Sequence, residues 1–150
     1  MPELITKAMA RNIFYGGSLF FLAVFVVLSV HSHLHIVRVS TAYAELTESV
    51  ALGKRVWERE ACVNCHTILG EGAYFAPEVG NVMARWDVAD EPDDAFETLK
   101  VWFVSQPSGI VGRRQMPRFD LPDHEIRALS DFLLWTNRIR TQGWPPNDAG

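Results

Sequence analysis

The chain has 150 residues, of which 48% are hydrophobic, and its 14 basic and 18 acidic side chains give a formal net charge of −4. An acidic chain without a basic stripe cannot neutralise phosphates, which argues against nucleic-acid binding. Two cysteines are too few for a disulfide-stapled scaffold, so the composition leaves room for one small domain plus one apolar segment.

The first predicted element is a long apolar helix near the N-terminus. No Lys, Arg, Asp or Glu lies between Arg11 and Arg38, and residues 13–30 are almost wholly apolar. As a helix, residues 13–30 would span about 27 Å, roughly the thickness of a bilayer core. A cleaved secretory signal is the alternative, because residues 42–44 resemble a cleavage site. The apolar run is longer than a signal core, however, and this favours a retained membrane anchor.

Basic residues on the two sides of this helix predict its orientation. Lys7 and Arg11 precede the apolar run, whereas only Arg38 follows it closely. Since positive flanks stay in the cytoplasm, we expect the N-terminus there. Residues 1–38 are therefore interpreted as a cytoplasmic stub and anchor, and residues 39–150 as a periplasmic domain.

Three helices are predicted in the external domain from the spacing of apolar residues. They cover residues 48–60, residues 93–104, and a last helix that starts near residues 120–122 and reaches Ile139. Residues 70–80 and 106–119 are rich in Gly and Pro and should be irregular. Gly53 and Trp57 are expected to contact the last helix. No stretch alternates as a strand would, so the predicted fold class is all-α.

A C-x-x-C-H motif at Cys62, Cys65 and His66 contains both cysteines of the chain. Two thiols at this spacing can each form a thioether with one haem, and the adjacent histidine can then ligate the iron. A zinc site would need four ligands, and outside the motif the domain adds only His124. A thioredoxin-like pair requires a βαβ setting, and a disulfide at this spacing would be strained. The motif therefore predicts covalent haem c.

A haem iron that transfers electrons usually has a sixth protein ligand, and Met raises its potential relative to His. Outside the apolar segment the candidates are Met83 and Met116. Met83 follows His66 so closely that little chain is left to reach the other haem face. Met116 lies in the Gly- and Pro-rich stretch beside Pro117, where a methionine is a poor core residue. We expect Met116 to be the ligand, with Met83 as the second candidate.

Further residues are candidates to support the haem. The carbonyl of Pro77 could accept a hydrogen bond from the Nδ1–H of His66 and fix the ring. Arg113 and Arg114 could pair with the haem propionates. Six acids and no base lie in residues 87–97, a pattern that suits either steering of a basic donor or a solvated surface.

With motif and anchor in place, the chain resembles the cytochrome c subunit of bacterial nitric oxide reductase along nearly its full length. The matching stretches are residues 7–17, 53–57, 62–66, 69–81, 112–117 and 144–147. The C-x-x-C-H motif alone would identify only a c-type cytochrome. The stretches 7–17 and 69–81 make the resemblance far more specific.

The resemblance implies a membrane-anchored class I cytochrome c domain. It places the thioethers on Cys62 and Cys65 and the axial ligands on His66 and Met116. The family also holds a calcium ion at the interface with its large subunit. The small-subunit ligands of that ion fall on Gly72 and Tyr74 here, and a Gly carbonyl and a Tyr oxygen suit such a hard cation.

The resemblance further implies partners and a reaction. The subunit would take electrons from a soluble cytochrome c or a cupredoxin and pass them to haem b of a large catalytic membrane subunit. There, a second haem b and a non-haem iron reduce two NO to N2O and water. We therefore expect an electron-accepting subunit in the bacterial cytoplasmic membrane, without a complete NO-reducing site of its own. The alternatives are a free-standing anchored electron carrier and a haem-based gas sensor.

Overall fold

A computed structural model describes residues 5–141 and 143 of the chain. The tail at residues 144–147, which contributes to the family resemblance, lies outside the described residues. The chain divides into two compact units, one up to Val39 and one from Ser40 onward. This division falls one residue from the expected domain boundary.

The first unit is a single long helix, α1, at Lys7–His35, which continues as a π-helical segment at Ile36–Ser40. The side chain of Thr6 caps its start by accepting a hydrogen bond from the backbone N–H of Met9 at 3.2 Å. The 34 residues Lys7–Ser40 are long and apolar enough to cross a membrane, with a mean hydropathy of 2.3 over the most apolar window. The helix is thus longer than the apolar run that predicted it.

Among its described residues, the second unit has four α-helices, two short 3₁₀ helices and a minimal sheet. The helices are α2 at Glu48–Arg59, α3 at Val82–Arg85, α4 at Pro92–Val104 and α5 at Asp123–Arg138. Local signals set their starts, because Thr47 caps the backbone of Val50 in α2 and α4 begins with a proline. The three predicted helices are confirmed, and residues 106–119 are irregular as expected.

Helices α2 and α5 cross at a glycine. A Cβ atom added at Gly53 would lie 2.0 Å from the backbone oxygen of Ala128 and 2.6 Å from the Cβ of Phe132. Only glycine permits this approach, and it brings the ring of Trp57 to 6.4 Å from that of Phe132. The expected contact of Gly53 and Trp57 with the last helix is confirmed.

The core of the second unit forms where α3, α4 and the α2–α5 pair meet. Its largest members are Trp57, Met83, Phe96, Leu99, Phe103, Ile126, Leu129, Phe132, Leu133 and Leu134. Of this set, Met83 is completely buried. The helical frame therefore packs as one core, and the two irregular stretches extend from it.

Three details differ from the sequence expectation. A two-residue strand β1 at Thr67–Ile68 pairs antiparallel with β2 at Glu71–Gly72. The turn between them has positive φ at Leu69 and Gly70, and no apolar alternation can announce so short a pair. The short helix α3 was not predicted either. The last helix ends at Arg138, and Ile139 is extended.

Candidate haem site

The C-x-x-C-H motif follows directly on α2. Ala61 adopts a left-handed conformation with φ of 53°, and Cys62–Asn64 then form a single 3₁₀ turn. The backbone N–H of His66 donates to the carbonyl of Cys62 at 2.9 Å, which closes the loop around the motif. Both thiols are free and half-buried, and burial raises the pKa of Cys62 to about 11. Two unpaired thiols thus lie one turn apart beside an imidazole.

The ring of His66 is fixed by a backbone carbonyl. Its Nδ1 lies 2.8 Å from the oxygen of Pro77, the contact that the sequence suggested. A carbonyl can only accept, so in the neutral imidazole Nδ1 carries the proton and Nε2 has the lone pair that binds a metal. The ring of Trp57 lies 6.4 Å from the imidazole. The arrangement sets both the tautomer and the orientation that an iron ligand needs.

Backbone hydrogen bonds tie the residues after the motif to the motif itself. The N–H of Ala73 donates to Val63 at 3.0 Å, and the N–H of Ala76 donates to Cys65 at 2.7 Å. A third bond, 2.9 Å long, runs from the N–H of Val79 to the carbonyl of Thr67. The carbonyl of Pro77 is therefore held in place by its neighbours on both sides.

A buried carboxylate, which the sequence did not single out, organises this segment. Glu78 is 3% exposed, and one of its oxygens accepts the N–H groups of Leu69 at 2.8 Å and Gly80 at 2.7 Å. The other oxygen accepts the N–H of Gly70 at 3.0 Å. Arg85 donates to the backbone oxygen of Glu78. Glu78 thus joins the left-handed turn at residues 69 and 70 to the stretch that carries Pro77.

The same hydrogen bonds set the charge state of Glu78. Burial alone would raise its pKa, but the backbone N–H groups of Gly70 and Gly80 stabilise the anion, and the pKa lies below its ordinary value. Burial also lowers the pKa of Arg85, while the charge of Glu78 opposes that shift. At neutral pH the segment therefore contains an ionised, hydrogen-bonded carboxylate.

Gly72 and Tyr74, the expected calcium residues, lie on the surface of this segment. A Cβ at Gly72, where φ is 127°, would lie 2.3 Å from the carbonyl oxygen of His66, so only glycine fits there. Tyr74 is 70% exposed, and its hydroxyl donates to Gly70 at 3.4 Å. Both residues are accessible to another subunit.

The two candidate sulfur ligands have different surroundings. Met83 lies within the helical core with no exposed surface. Met116 is only partly buried, and its Sδ accepts a hydrogen bond from the indole N–H of Trp102 at 3.3 Å. Moving Met83 to an iron would open the core, whereas Met116 is already in an irregular stretch.

A few side chains hold the stretch around Met116. The amide of Gln115 donates to the carbonyls of Ile110 and Arg113 and accepts from Ser108. The guanidinium of Arg114 lies over the ring of Phe75 at 4.9 Å, which joins this stretch to the segment after His66. Arg113 is exposed.

The residues present fit a covalent haem. The donor set comprises two free thiols, an imidazole with a free Nε2, and a thioether outside the packed core. Several large apolar side chains near these residues in sequence are unusually exposed for a small domain, a pattern that marks a binding surface. They are Val63, Leu69, Phe75, Val101, Trp102, Ile110 and Val111.

The acidic residues 87–97 are partly paired. Asp93 accepts from Arg127 at 2.9 Å, and the same guanidinium lies 4.2 Å from the ring centre of Phe96. Asp87 takes a left-handed conformation with φ of 59°. Part of this acidic run thus fastens the start of α4 to α5.

Sequence reasoning missed Glu78 and Trp102. Nothing in the pattern marks Glu78 as buried, because a lone glutamate in a Gly-rich stretch is normally solvated. The signal that could have found it is its place directly after Pro77, within a stretch that resembles the family. Trp102 fits the apolar face of α4 by its spacing, and that spacing does not reveal where its N–H points.

Comparison with known proteins is consistent with this chemistry. The cytochrome c family model matches residues 50–137. The C subunit of nitric oxide reductase from Paracoccus denitrificans is 65% identical over 150 residues, covering all of both chains. The proteins of the same name from Cereibacter sphaeroides and Halomonas halodenitrificans are 62% and 52% identical, again over both full lengths.

Proposed function

This chain belongs to the family of nitric oxide reductase C subunits, and on that premise we propose that it receives electrons from a soluble periplasmic donor for its catalytic partner. The acceptor in that partner would be haem b. The observation that carries the proposal is the combination of full-length similarity with a cytochrome c site whose histidine is already oriented by Pro77.

The chain's own residues would hold the haem as follows. Cys62 and Cys65 form the thioethers, His66 ligates through Nε2, and Met116 supplies the sulfur. When bound, haem c supplies a reversible one-electron iron couple. The buried position of Met83 in the core supports the choice of Met116. Arg113 and Arg114 remain candidates for the propionates.

The subunit is proposed to be non-catalytic towards NO. With His66 and Met116 both bound to it, the iron would have no position open to a gas ligand. Reduction of two NO to N2O and water consumes two electrons and two protons and takes place in the partner. This chain's contribution is to deliver the electrons one at a time.

Helix α1 anchors the subunit in the cytoplasmic membrane. The span Lys7–Ser40 has the length and composition for one crossing. The basic residues Lys7 and Arg11 precede its apolar part, which supports an N-terminus in the cytoplasm and a periplasmic cytochrome domain. Soluble periplasmic donors, a cytochrome c or a cupredoxin, can then reach the haem.

The exposed turn next to His66 is proposed to meet the catalytic subunit. Gly72 and Tyr74 would share a calcium ion with it, through a carbonyl and a tyrosine oxygen. Such ligands suit a hard cation, and an ion between subunits would add the partner's ligands to its shell. The position supports this role because Gly72 and Tyr74 are accessible while their neighbours are fixed by Glu78.

Rapid mixing of the purified complex with a reduced soluble donor tests the proposed function. Haem c should be reduced first and haem b afterwards, and NO consumption should follow. A complex with Cys62→Ser and Cys65→Ser should no longer accept electrons from the soluble donor. Turnover per haem b with a small chemical reductant that reaches haem b directly should persist, whatever amount of complex assembles.

Three results would contradict the proposal. Haem b reduced by the donor at the normal rate in the double variant would show that electrons enter elsewhere. Purification of the native chain as a lone species with haem c only would favour the free-standing carrier. A ferrous haem c spectrum that changes on addition of CO would favour the gas sensor.

A further inference from the structure

The sulfur of Met116 has one close polar neighbour among the contacts that the structure describes. The indole Nε1–H of Trp102 donates to Sδ at 3.3 Å, a normal length for a hydrogen bond to sulfur. Trp102 is 38% exposed, and its ring lies 5.7 Å from that of Trp86. A donor on a helix thus points at the atom proposed to bind the iron.

The two partners differ in how firmly they are fixed. Trp102 belongs to α4, whose residues Phe96, Leu99 and Phe103 are buried in the core. Met116 lies in a stretch without regular structure, where Phe119 packs against Phe103 with ring centres 6.1 Å apart. The Phe119 contact holds the backbone, but the indole holds the sulfur itself.

We propose that Trp102 is a positioning residue for the axial sulfur and that its hydrogen bond raises the reduction potential of the haem. A thioether sulfur has two lone pairs, so it can bind iron with one and accept an N–H with the other. The hydrogen bond withdraws electron density from the sulfur, which weakens its donation and favours the ferrous iron over the ferric iron. This inference rests on Met116 being the axial ligand, as proposed above.

Trp102→Phe is the direct test, because it keeps an aromatic ring on α4 and removes the N–H donor. The ring faces an open groove of about 300 Å³, so a smaller side chain forces no neighbour to move. Loss of a net hydrogen bond should change the ferric/ferrous equilibrium about three- to tenfold towards the ferric form. Since tenfold is 59 mV for a one-electron couple, the potential should fall by about 30–60 mV.

Trp86→Phe is the matched control. It alters the neighbouring ring of the same groove, and its indole makes no contact with Met116 among the described hydrogen bonds. Both variants are measured in the purified complex by spectroelectrochemistry of haem c, with magnetic circular dichroism of the ferric state to identify the sulfur ligand. The potential should fall in Trp102→Phe and stay near wild type in Trp86→Phe.

A double-mutant cycle separates the hydrogen bond from a general effect of the ring. A histidine at position 116 would ligate through one nitrogen and carry a proton on the other, so it offers the indole no acceptor. Trp102→Phe should therefore leave the potential unchanged in a Met116→His background. An equal fall in both backgrounds would overturn the proposal, as would an unchanged potential in Trp102→Phe with the sulfur ligand retained.

Failure of the proposed function has a separate signature. Absence of a sulfur ligand in the wild-type ferric haem would refute Met116 as the ligand, and the inference about Trp102 would fall with it. Loss of the sulfur ligand in Trp102→Phe but not in Trp86→Phe would support the positioning role directly. An equal loss in both variants would contradict that role.

Discussion

Two segments of the cytochrome domain carry the proposed iron ligands, and they are built differently. The histidine segment, residues 62–80, is held by backbone hydrogen bonds and by the buried carboxylate of Glu78. The methionine loop, residues 106–119, is held by a few side chains at its surface, chiefly Gln115, Arg114 and the indole bonded to Met116. One ligand is set by main-chain geometry and the other by side chains.

This difference separates two tasks within one small site. The imidazole of His66 needs a fixed tautomer. The acceptor that fixes it is the main-chain carbonyl of Pro77, and a substitution at this position alters that carbonyl little. The sulfur of Met116 depends on side chains that can change without disturbing the fold. The histidine segment should therefore determine stability, and the methionine loop should determine the potential.

The largest effect is expected from removing the covalent attachment of the haem, to which each segment supplies one proposed ligand. Cys62→Ser with Cys65→Ser should abolish the covalent adduct and greatly destabilise the domain, because a haem supplies much of the core in a protein this small. Intact-mass measurement and thermal unfolding of the solubilised protein check this. A double variant as stable as the wild type would contradict the expectation.

The contribution of each segment to stability is measured by one substitution in each. Glu78→Ala should lower the free energy of unfolding by about 3 kcal/mol, because three backbone N–H groups lose the buried carboxylate that accepts their hydrogen bonds. Gln115→Ala is the counterpart in the methionine loop and should cost about 0.5–1 kcal/mol, because the groups it leaves can bond to water.

Denaturant titration of the detergent-solubilised holoprotein, followed by haem circular dichroism, measures both variants. The reduction potential of haem c is measured on the same two variants. Equal losses of stability in the two variants would remove the distinction between the segments.

Within the helical frame, a buried and an exposed position of α2 can be compared in the same way. Gly53→Ala should cost about 2 kcal/mol, because the new Cβ meets the backbone of Ala128 and pushes α2 from α5. Arg55→Ala, on the exposed face of the same helix, should stay within about 0.5 kcal/mol of wild type. The same unfolding titration measures the pair, and a harmless Gly53→Ala would show that the crossing is not tight.

The smallest predicted effect is on pH dependence. The pKa of Glu78 is lowered in the folded protein, so its carboxylate stabilises the fold above the unfolded pKa of about 4.3. That stability is lost as the pH falls through the lower folded value. Glu78→Gln should flatten the loss of stability below about pH 4, as measured by unfolding at a series of pH values. If the loss of stability at acid pH is unchanged in Glu78→Gln, other groups cause that loss.

The sequence predicted the fold to the extent that periodic patterns determine it. Apolar spacing located α2, α4 and α5, and the Gly- and Pro-rich composition of residues 106–119 predicted an irregular stretch. The contact of Gly53 with α5 also followed from the sequence. The two-residue strands and α3 could not be predicted, because elements of that length have no period to detect.

The site was predictable where chemistry depends on adjacent residues and not where it depends on distant ones. Cys62, Cys65 and His66 are neighbours, and Pro77 lies near enough along the chain to be suspected. The role of Glu78 depends on which way three backbone N–H groups point. The bond from Trp102 to Met116 joins a helix to a loop, and no local pattern records it.

Magnetic circular dichroism of the ferric haem c tests the central claim, that the methionine loop provides the second axial ligand, most directly. Met83→Leu is the matched control for Met116→Leu, since both replace a methionine by a residue of similar volume. We predict that the spectral signature of a sulfur ligand disappears in Met116→Leu and persists in Met83→Leu. A signature that survives in Met116→Leu and vanishes in Met83→Leu would contradict the account.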